Sequence, residues 1–351
     1  MAKRKTPIDN DESADFDGSA EAYYERGNFK LRWGFLDDAI TDYTEAIRLN
    51  PSFEDAYMNR GVAREYKGDY DGAIADYTSA LGMHPGDPEV YCNRGIARRY
   101  KGEIEGAVSD YSEAIRLDAE FADAYYNRGI LYEMLRKDDE AIADYTEAIR
   151  IDPEYARAYA NRGNPRAAKG DYEGAIADYS EALRLDPKDA KAFYNRGVAH
   201  GMLGDRQAAI EDFNKALDCD PDFIEAWFNR GFVRSASGDF EGAIDDFNQV
   251  IERKPQPRAY AERGLAHFEN EDYLNAAADF RQALALLPDS IYARAYLAIT
   301  LHAQGEADEA VLLWQQVLTA DERYRDPDWA ARTLVLSEGM EAAFRRFVAR
   351  M

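Results

Sequence analysis

The chain has 351 residues, 46% of them hydrophobic, and a formal net charge of −24. Such acidity repels a phosphate backbone, so nucleic acid is disfavoured as a partner and basic protein segments are favoured. No apolar run reaches the roughly 18 residues of a membrane span, the basic start Met1-Ala2-Lys3-Arg4-Lys5 has no secretory apolar stretch behind it, and two isolated cysteines, Cys92 and Cys219, fit a reducing cytoplasm.

Residues 1–19 are polar and aperiodic and read as a disordered acidic tail. After it the pair Arg-Gly recurs every 34 residues, at Arg26-Gly27, Arg60-Gly61, Arg94-Gly95, Arg128-Gly129, Arg162-Gly163, Arg196-Gly197 and Arg230-Gly231. Arg263-Gly264 follows after 33 residues, and Leu297-Ala298 keeps the register in a ninth, degraded copy. Such a period describes stacked units, each burying its apolar face only against its neighbours. The units are 20–53, 54–87, 88–121, 122–155, 156–189, 190–223, 224–256, 257–290 and 291–324.

Each unit predicts two amphipathic helices. In 54–87 the first carries Ala56, Tyr57, Gly61, Val62 and Ala63 and stops near Gly68-Asp69. The second carries Tyr70, Ala73, Ile74, Tyr77, Ala80 and Leu81 at helical spacing, and Pro85 closes the unit. Gly61 and Ala73 read as sites of close backbone approach. Pro165 falls inside the first helix of unit five and predicts a kinked or shortened helix, with a hinge as the functional alternative. Beyond the repeats, 325–351 supplies Trp329, Leu334, Leu336, Met340, Phe344, Phe347 and Val348, read as a cap over the open end, with an exposed docking helix as the alternative.

Three columns recur at the same register. The first aromatics are Tyr23, Tyr57, Tyr91, Tyr125, Tyr159, Phe193, Trp227 and Tyr260; the second-helix alanine runs from Ala39 to Ala310 in all nine units; the large aromatic after it runs from Tyr43 to Trp314. This pattern resembles the tetratricopeptide repeat over about residues 20–324. The resemblance implies an all-α, right-handed α-solenoid of about nine helix-turn-helix repeats with a C-terminal cap, in which the first helix of each unit lines the concave surface.

Sixteen residues after each arginine stands an aspartate: Asp42, Asp76, Asp110, Asp144, Asp178, Asp212, Asp246 and Asp279. In unit nine both are lost together, to Leu297 and Leu313, which marks them as partners that fix helix register. A second basic column holds Lys30, Arg64, Arg98, Arg166 and Arg234, with His200 and His267. It either pairs with the acids or puts a positive stripe on the inner surface.

The residue before the arginine is Asn59, Asn93, Asn127, Asn161, Asn195 and Asn229, flanked by Glu25, Glu262 and Tyr296. Its placement resembles the asparagine ladder of the protein O-linked N-acetylglucosamine transferase superhelix, which implies capture of an extended polypeptide by its backbone. A carboxamide supplies both donor and acceptor, so it can pair with any peptide unit. One residue earlier stand Tyr24, Met58, Cys92, Tyr126, Ala160, Tyr194, Phe228 and Ala261. Of these, Tyr126, Tyr194 and Phe228 are expected to frame an opening in units five to seven, where Ala160, Ala167, Ala168, Gly201 and Ala236 are small.

The four histidines lack metal-ligand spacing, and neither a phosphate-binding glycine loop nor a nucleophile elbow appears. The expectation is a non-catalytic, cytoplasmic protein-interaction scaffold without cofactor or metal, holding an extended peptide segment of another protein in its groove. A self-assembling structural scaffold, with homo-oligomers, and a peptide-sensing regulator remain the alternatives.

Overall fold

A computed structural model describes residues 16–351. Most of the expected N-terminal tail therefore lies outside the described residues. Among the described residues every regular element is helical, and no helix is long and apolar enough to cross a membrane. Two compact units divide between Lys169 and Gly170. The first unit contains α1 (Ala20–Arg32), α2 (Leu36–Leu49), α3 (Glu54–Tyr66), α4 (Tyr70–Met83), α5 (Pro88–Lys101), α6 (Ile104–Leu117), α7 (Ala122–Met134), α8 (Asp138–Ile151) and α9 (Ala156–Ala168). The second contains α10 (Tyr172–Leu185), α11 (Ala190–Met202), α12 (Arg206–Cys219), α13 (Ile224–Ala236), α14 (Phe240–Arg253), α15 (Pro257–Glu269), α16 (Tyr273–Leu286), α17 (Ile291–Gln304) and α18 (Ala307–Ala320). A 3-10 turn at Glu322–Arg325, α19 (Pro327–Leu334) and α20 (Glu338–Val348) complete it.

Local chemistry sets the hairpins. The turn between paired helices needs one residue in the left-handed region, filled by Gly34, Gly68, Gly102, Gly170, Gly204, Gly238 and Gly305. Arg136 and Glu271 adopt the same conformation, with φ of 58° and 59°, although they carry side chains. Asp69, Asp205, Asp239 and Asp272 then start the second helix by accepting its third backbone N–H. The glycine after each arginine is small for a different reason than backbone approach. A Cβ at Gly61 would lie 2.7 Å from the Tyr77 ring, and at Gly95 2.7 Å from the Tyr111 ring. The aromatic of the second helix occupies the space that a side chain would take.

Within each unit, the first helices of successive repeats touch directly: α1 with α3, α3 with α5, α5 with α7 and α7 with α9, then α11 with α13 and α13 with α15. The second helices approach one another less closely. The first helices therefore line the inner face of each stack. Pro165 does not shorten α9, which runs its full 13 residues as α7 does. It is buried at the register of Ala97 and Leu131, so core packing holds the turn whose hydrogen bond it removes.

Both described ends carry contacts outside the repeats. Residues 16–19 are ordered: Phe16 packs edge-on against Tyr23 at 5.0 Å and lies 4.3 Å from the Arg26 guanidinium, while Ser19 caps α1. Phe16 thus lies over the guanidinium of the first repeated arginine. At the other end α20 packs along α17 and α15, on the inner face, so the cap folds into the groove as well as over the last repeat. Phe344 and Phe347 meet Trp314 at 5.1 and 5.8 Å, and His302 stacks on Phe347 at 4.9 Å.

Candidate functional site

The arginine column is the frame on which the inner face is hung. In the first unit Arg26, Arg60, Arg94 and Arg128 fork onto Asp42, Asp76, Asp110 and Asp144 with bonds of 2.7–3.0 Å. In the second, Arg196, Arg230 and Arg263 fork onto Asp212, Asp246 and Asp279 at 2.6–3.0 Å. From Arg60 onward these guanidinium groups also carry a third bond that the aspartate pattern does not foretell. It runs back to the second helix of the preceding repeat: Arg60 to Thr44, Arg94 to Thr78, Arg128 to Ser112, Arg196 to Ser180, Arg230 to Asn214 and Arg263 to Asn248, at 2.5–3.2 Å. The signal was present as a small polar residue after the second-helix aromatic of repeats one to seven. The first-helix aromatic three residues earlier stacks on the same guanidinium, as Trp227 does on Arg230 at 4.6 Å. One planar cation thus ties three helices. Burial of Asp144 and Asp246 pushes their carboxyls above the usual range even so, with the guanidinium groups opposing.

The second basic column joins this network and does not form a positive stripe. Lys30, Arg64, Arg98 and Arg234 lie 2.7–3.0 Å from Asp42, Asp76, Asp110 and Asp246. His267 sits 3.2 Å from Asp272.

All six asparagines lie half-buried on first helices: Asn59 on α3, Asn93 on α5, Asn127 on α7, Asn161 on α9, Asn195 on α11 and Asn229 on α13. Three of them spend their amide on the stack. Asn59 donates to Tyr24 Oη at 3.1 Å and to Asn28 Oδ1 at 2.8 Å; Asn161 donates to Tyr126 Oη at 3.1 Å; Asn229 donates to Tyr194 Oη at 2.8 Å. Asn127 instead donates to the carbonyl of Asp123 at 2.8 Å. Asn93 has no hydrogen-bond partner among the described residues.

The aromatic column is largely buried, although Tyr126 reaches the lining of one inner-face hollow and Tyr194 and Phe228 that of another. Tyr126 and Phe228 are only 9% and 7% exposed and Tyr194 is half-buried, so they serve mainly as packing. Each ring lies against the second-helix aromatic of its own repeat: Tyr126 on Tyr145 at 5.9 Å, Tyr194 on Phe213 at 5.9 Å and Phe228 on Phe247 at 5.6 Å. Tyr126 and Tyr194 also meet the residue that precedes the next first helix, Tyr155 and Phe223, at 4.8 Å. Stacking closes over these rings because both neighbours offer apolar faces. The inner-face openings lie beside them. A hollow of about 390 Å³ in the first unit is lined by Cys92, Asn93, Ile96, Phe121 and Asn127 among others. Another of about 270 Å³ in the second unit is lined by Tyr194, Phe228, Asn229, Gln256 and Arg258 among others. Burial at the first hollow pushes the Cys92 thiol up to about 12.

At the last repeat the asparagine register holds Tyr296, which is 8% exposed and donates its hydroxyl to the carbonyl of Leu334 at 2.7 Å. Leu334 belongs to the cap segment laid across α17. One repeat earlier, Ser337 Oγ binds Glu269 on α15. Sequence reasoning placed neither residue in the site, since neither shares the column's chemistry.

A TPR repeat profile matches residues 95–135 and 163–204, and tetratricopeptide repeat profiles match 20–88, 122–155, 190–223, 228–291 and 267–332. No curated protein matches the chain. Among solved structures, the C-terminal part of a TPR repeat-containing protein from Cytophaga hutchinsonii is similar with a TM-score of 0.58 and 20% identity, over 68% of this chain and 99% of that one. A tetratricopeptide repeat protein from Parabacteroides merdae is similar with a TM-score of 0.51 and 21% identity, over 71% and 98%. YrrB, described as a TPR protein with an unusual peptide-binding site, reaches 26% identity and a TM-score of 0.46 over 52% and 95%. From its matched profiles and its tandem helix pairs, the chain belongs to the tetratricopeptide repeat family.

Proposed function

We propose that the protein is a non-catalytic interaction scaffold whose inner face holds an extended segment of another protein, with the asparagine column taking the segment's backbone. One observation carries this reading. At the register of the column, Tyr296 donates to a main-chain carbonyl of a segment lying across its helix, the Leu334 oxygen at 2.7 Å. The chain's own C-terminal segment thus makes at repeat nine the contact ascribed to a partner elsewhere. Asn93 offers both donor and acceptor to such a segment, and the hollows of both units border the column, at Asn93 and Asn127 in one and at Asn229 in the other. The net charge of −24 steers basic segments towards such a surface. The apolar cap on α17 and α18 speaks against end-to-end assembly.

Asn93 provides the cleanest test, because it holds no internal hydrogen bond whose loss would confound the result. The full chain is screened against a random peptide array, and the strongest binders are measured by titration. Asn93→Ala is expected to lower their affinity about three- to tenfold across sequences, with an unchanged melting curve. Affinities equal to those of the unaltered chain, or no binder at all, defeat the reading.

A further inference from the structure

The hollow of the first unit has the parts of a tyrosine site that recurs elsewhere in the chain, but lacks the tyrosine. In repeats one, four and six the residue two before the arginine is Tyr24, Tyr126 and Tyr194. Each is held by the same three groups. One wall is the second-helix aromatic: Tyr43 at 6.0 Å, Tyr145 at 5.9 Å and Phe213 at 5.9 Å. The other wall is the aromatic that precedes the next first helix: Phe53, Tyr155 and Phe223, each at 4.8 Å. The third is the asparagine of the next repeat, whose amide donates to the phenol oxygen at 2.8–3.1 Å: Asn59, Asn161 and Asn229.

Repeat three keeps all three groups. Tyr111 is the second-helix aromatic, Phe121 precedes the next first helix, and Asn127 is the next asparagine. The side chain between them is Cys92, smaller than tyrosine by a whole ring, and it packs with Tyr111 and Phe121 in one apolar cluster. The hollow of about 390 Å³ opens over Cys92, lined by Ile96, Phe121 and Asn127 and rimmed by Glu89, Asp123 and Arg157, with Tyr111 buried beneath. Two polar groups, Asn127 in the lining and Tyr111 in the core beneath it, lack the partners their counterparts have. The amide of Asn127 turns to its own helix, onto the Asp123 carbonyl. The Tyr111 hydroxyl is fully buried and has no hydrogen-bond partner. Its counterparts Tyr77 and Tyr145 donate to Glu65 and Glu133, but the matching position in repeat three is Arg99, which offers no acceptor.

We infer that this hollow is a socket for the tyrosine side chain of a bound polypeptide, whose ring lies over Cys92 against Phe121 and whose hydroxyl accepts from Asn127. The inference deepens the peptide-binding reading by naming a side chain that the groove selects. Repeats two, five and seven are not such sockets, since Asp87, Asp189 and Gln256 stand where Phe121 does.

The probe is N-acetyl-tyrosinamide, with N-acetyl-phenylalaninamide as its control, titrated into the full chain and read at the methyl resonance of Ile96. Saturable shifts are expected for the tyrosine amide, with a Kd on the order of a millimolar. The phenylalanine amide should bind about fivefold more weakly, for want of the hydroxyl. Cys92→Tyr fills the socket from within, so it should melt no lower than the unaltered chain and abolish the shift. Asn127→Ala should leave binding of the ring but erase the preference for tyrosine, which keeps the test decisive if Cys92→Tyr does not fold. Equal binding of the two amides, no binding of either, or shifts that persist in folded Cys92→Tyr overturn the socket. The groove reading has its own readout: array binders that weaken with Asn93→Ala yet show no tyrosine enrichment leave the groove standing and remove the socket alone.

Discussion

Repeats two to seven carry asparagine in the register where repeats eight and nine carry Glu262 and Tyr296, and the change in chemistry goes with a change in what covers the helix. α17 buries eight of its residues, against four on α7. The difference is α20, which lies on the inner face of α15 and α17 and brings Met340, Phe344 and Phe347 into the core. On α17, where the segment makes most of its contacts, the helix beneath turns apolar and the arginine and aspartate of its repeat become Leu297 and Leu313, while α15 keeps Arg263 with Asp279. Where none is in place, the inner face stays polar and the helices are tied by ion pairs behind it. A solvated face cannot be apolar without inviting aggregation, and a covered one gains little from buried charge.

The comparison breaks first at the cap. Phe344 is fully buried against Trp314, and Phe344→Ala should cost about 3–5 kcal/mol in the stability of this end. Hydrogen exchange resolves the loss by region: amides of α17 and α20 should lose protection together, while those of the first unit keep theirs. Protection of α17 that survives the change would mean that the cap does not cover it.

A transplant sharpens the comparison next. Arg128 is the partner of Asp144 without a second cation, since Tyr132 stands in the second basic column there. Arg128→Leu leaves a buried carboxylate unpaired and should destabilise the chain by about 3–5 kcal/mol. The deficit should shrink in acid. Burial already raises the Asp144 carboxyl, so the folded chain holds a proton that the unfolded chain has released, and lowering the pH through that range favours folding. Arg128→Leu with Asp144→Leu copies repeat nine and should return to within about 1 kcal/mol of the unaltered chain in urea titrations. A double variant as weak as the single one would show that the third bond, to Ser112, carries the column.

The repeats and their register were legible because 34-residue spacing repeats every helix boundary, and the loss of arginine and aspartate together in unit nine disclosed their pairing. The third guanidinium bond was missed, although Thr44, Thr78 and Ser112 mark it, because it joins different repeats. The same limit hid the fate of the asparagine amides. Whether Asn161 faces a ligand or Tyr126 depends on how adjacent first helices lean together, which no single unit encodes. Tyr126 and Phe228 read as groove aromatics because their column does face inward; stacked neighbours close over them. The inward fold of the cap depended on contacts such as Tyr296 with Leu334, 38 residues apart and outside any repeat.

The smallest effect bears most directly on backbone capture. Tyr296→Phe keeps the ring in its apolar setting against Phe280, at 5.5 Å, and removes only the hydroxyl. The Leu334 carbonyl then loses its bond from α17 at a buried site, so the change should cost about 1 kcal/mol. Packing alone would hold α19 and α20 equally well with phenylalanine, since the lost oxygen adds no apolar contact. Faster exchange of the α19 and α20 amides in Tyr296→Phe, by about fivefold, therefore isolates the hydrogen bond from the hydrophobic cover. Unchanged exchange would mean that apolar burial alone seats the segment, and that donors in this register do not grip a main chain even where one already lies against them.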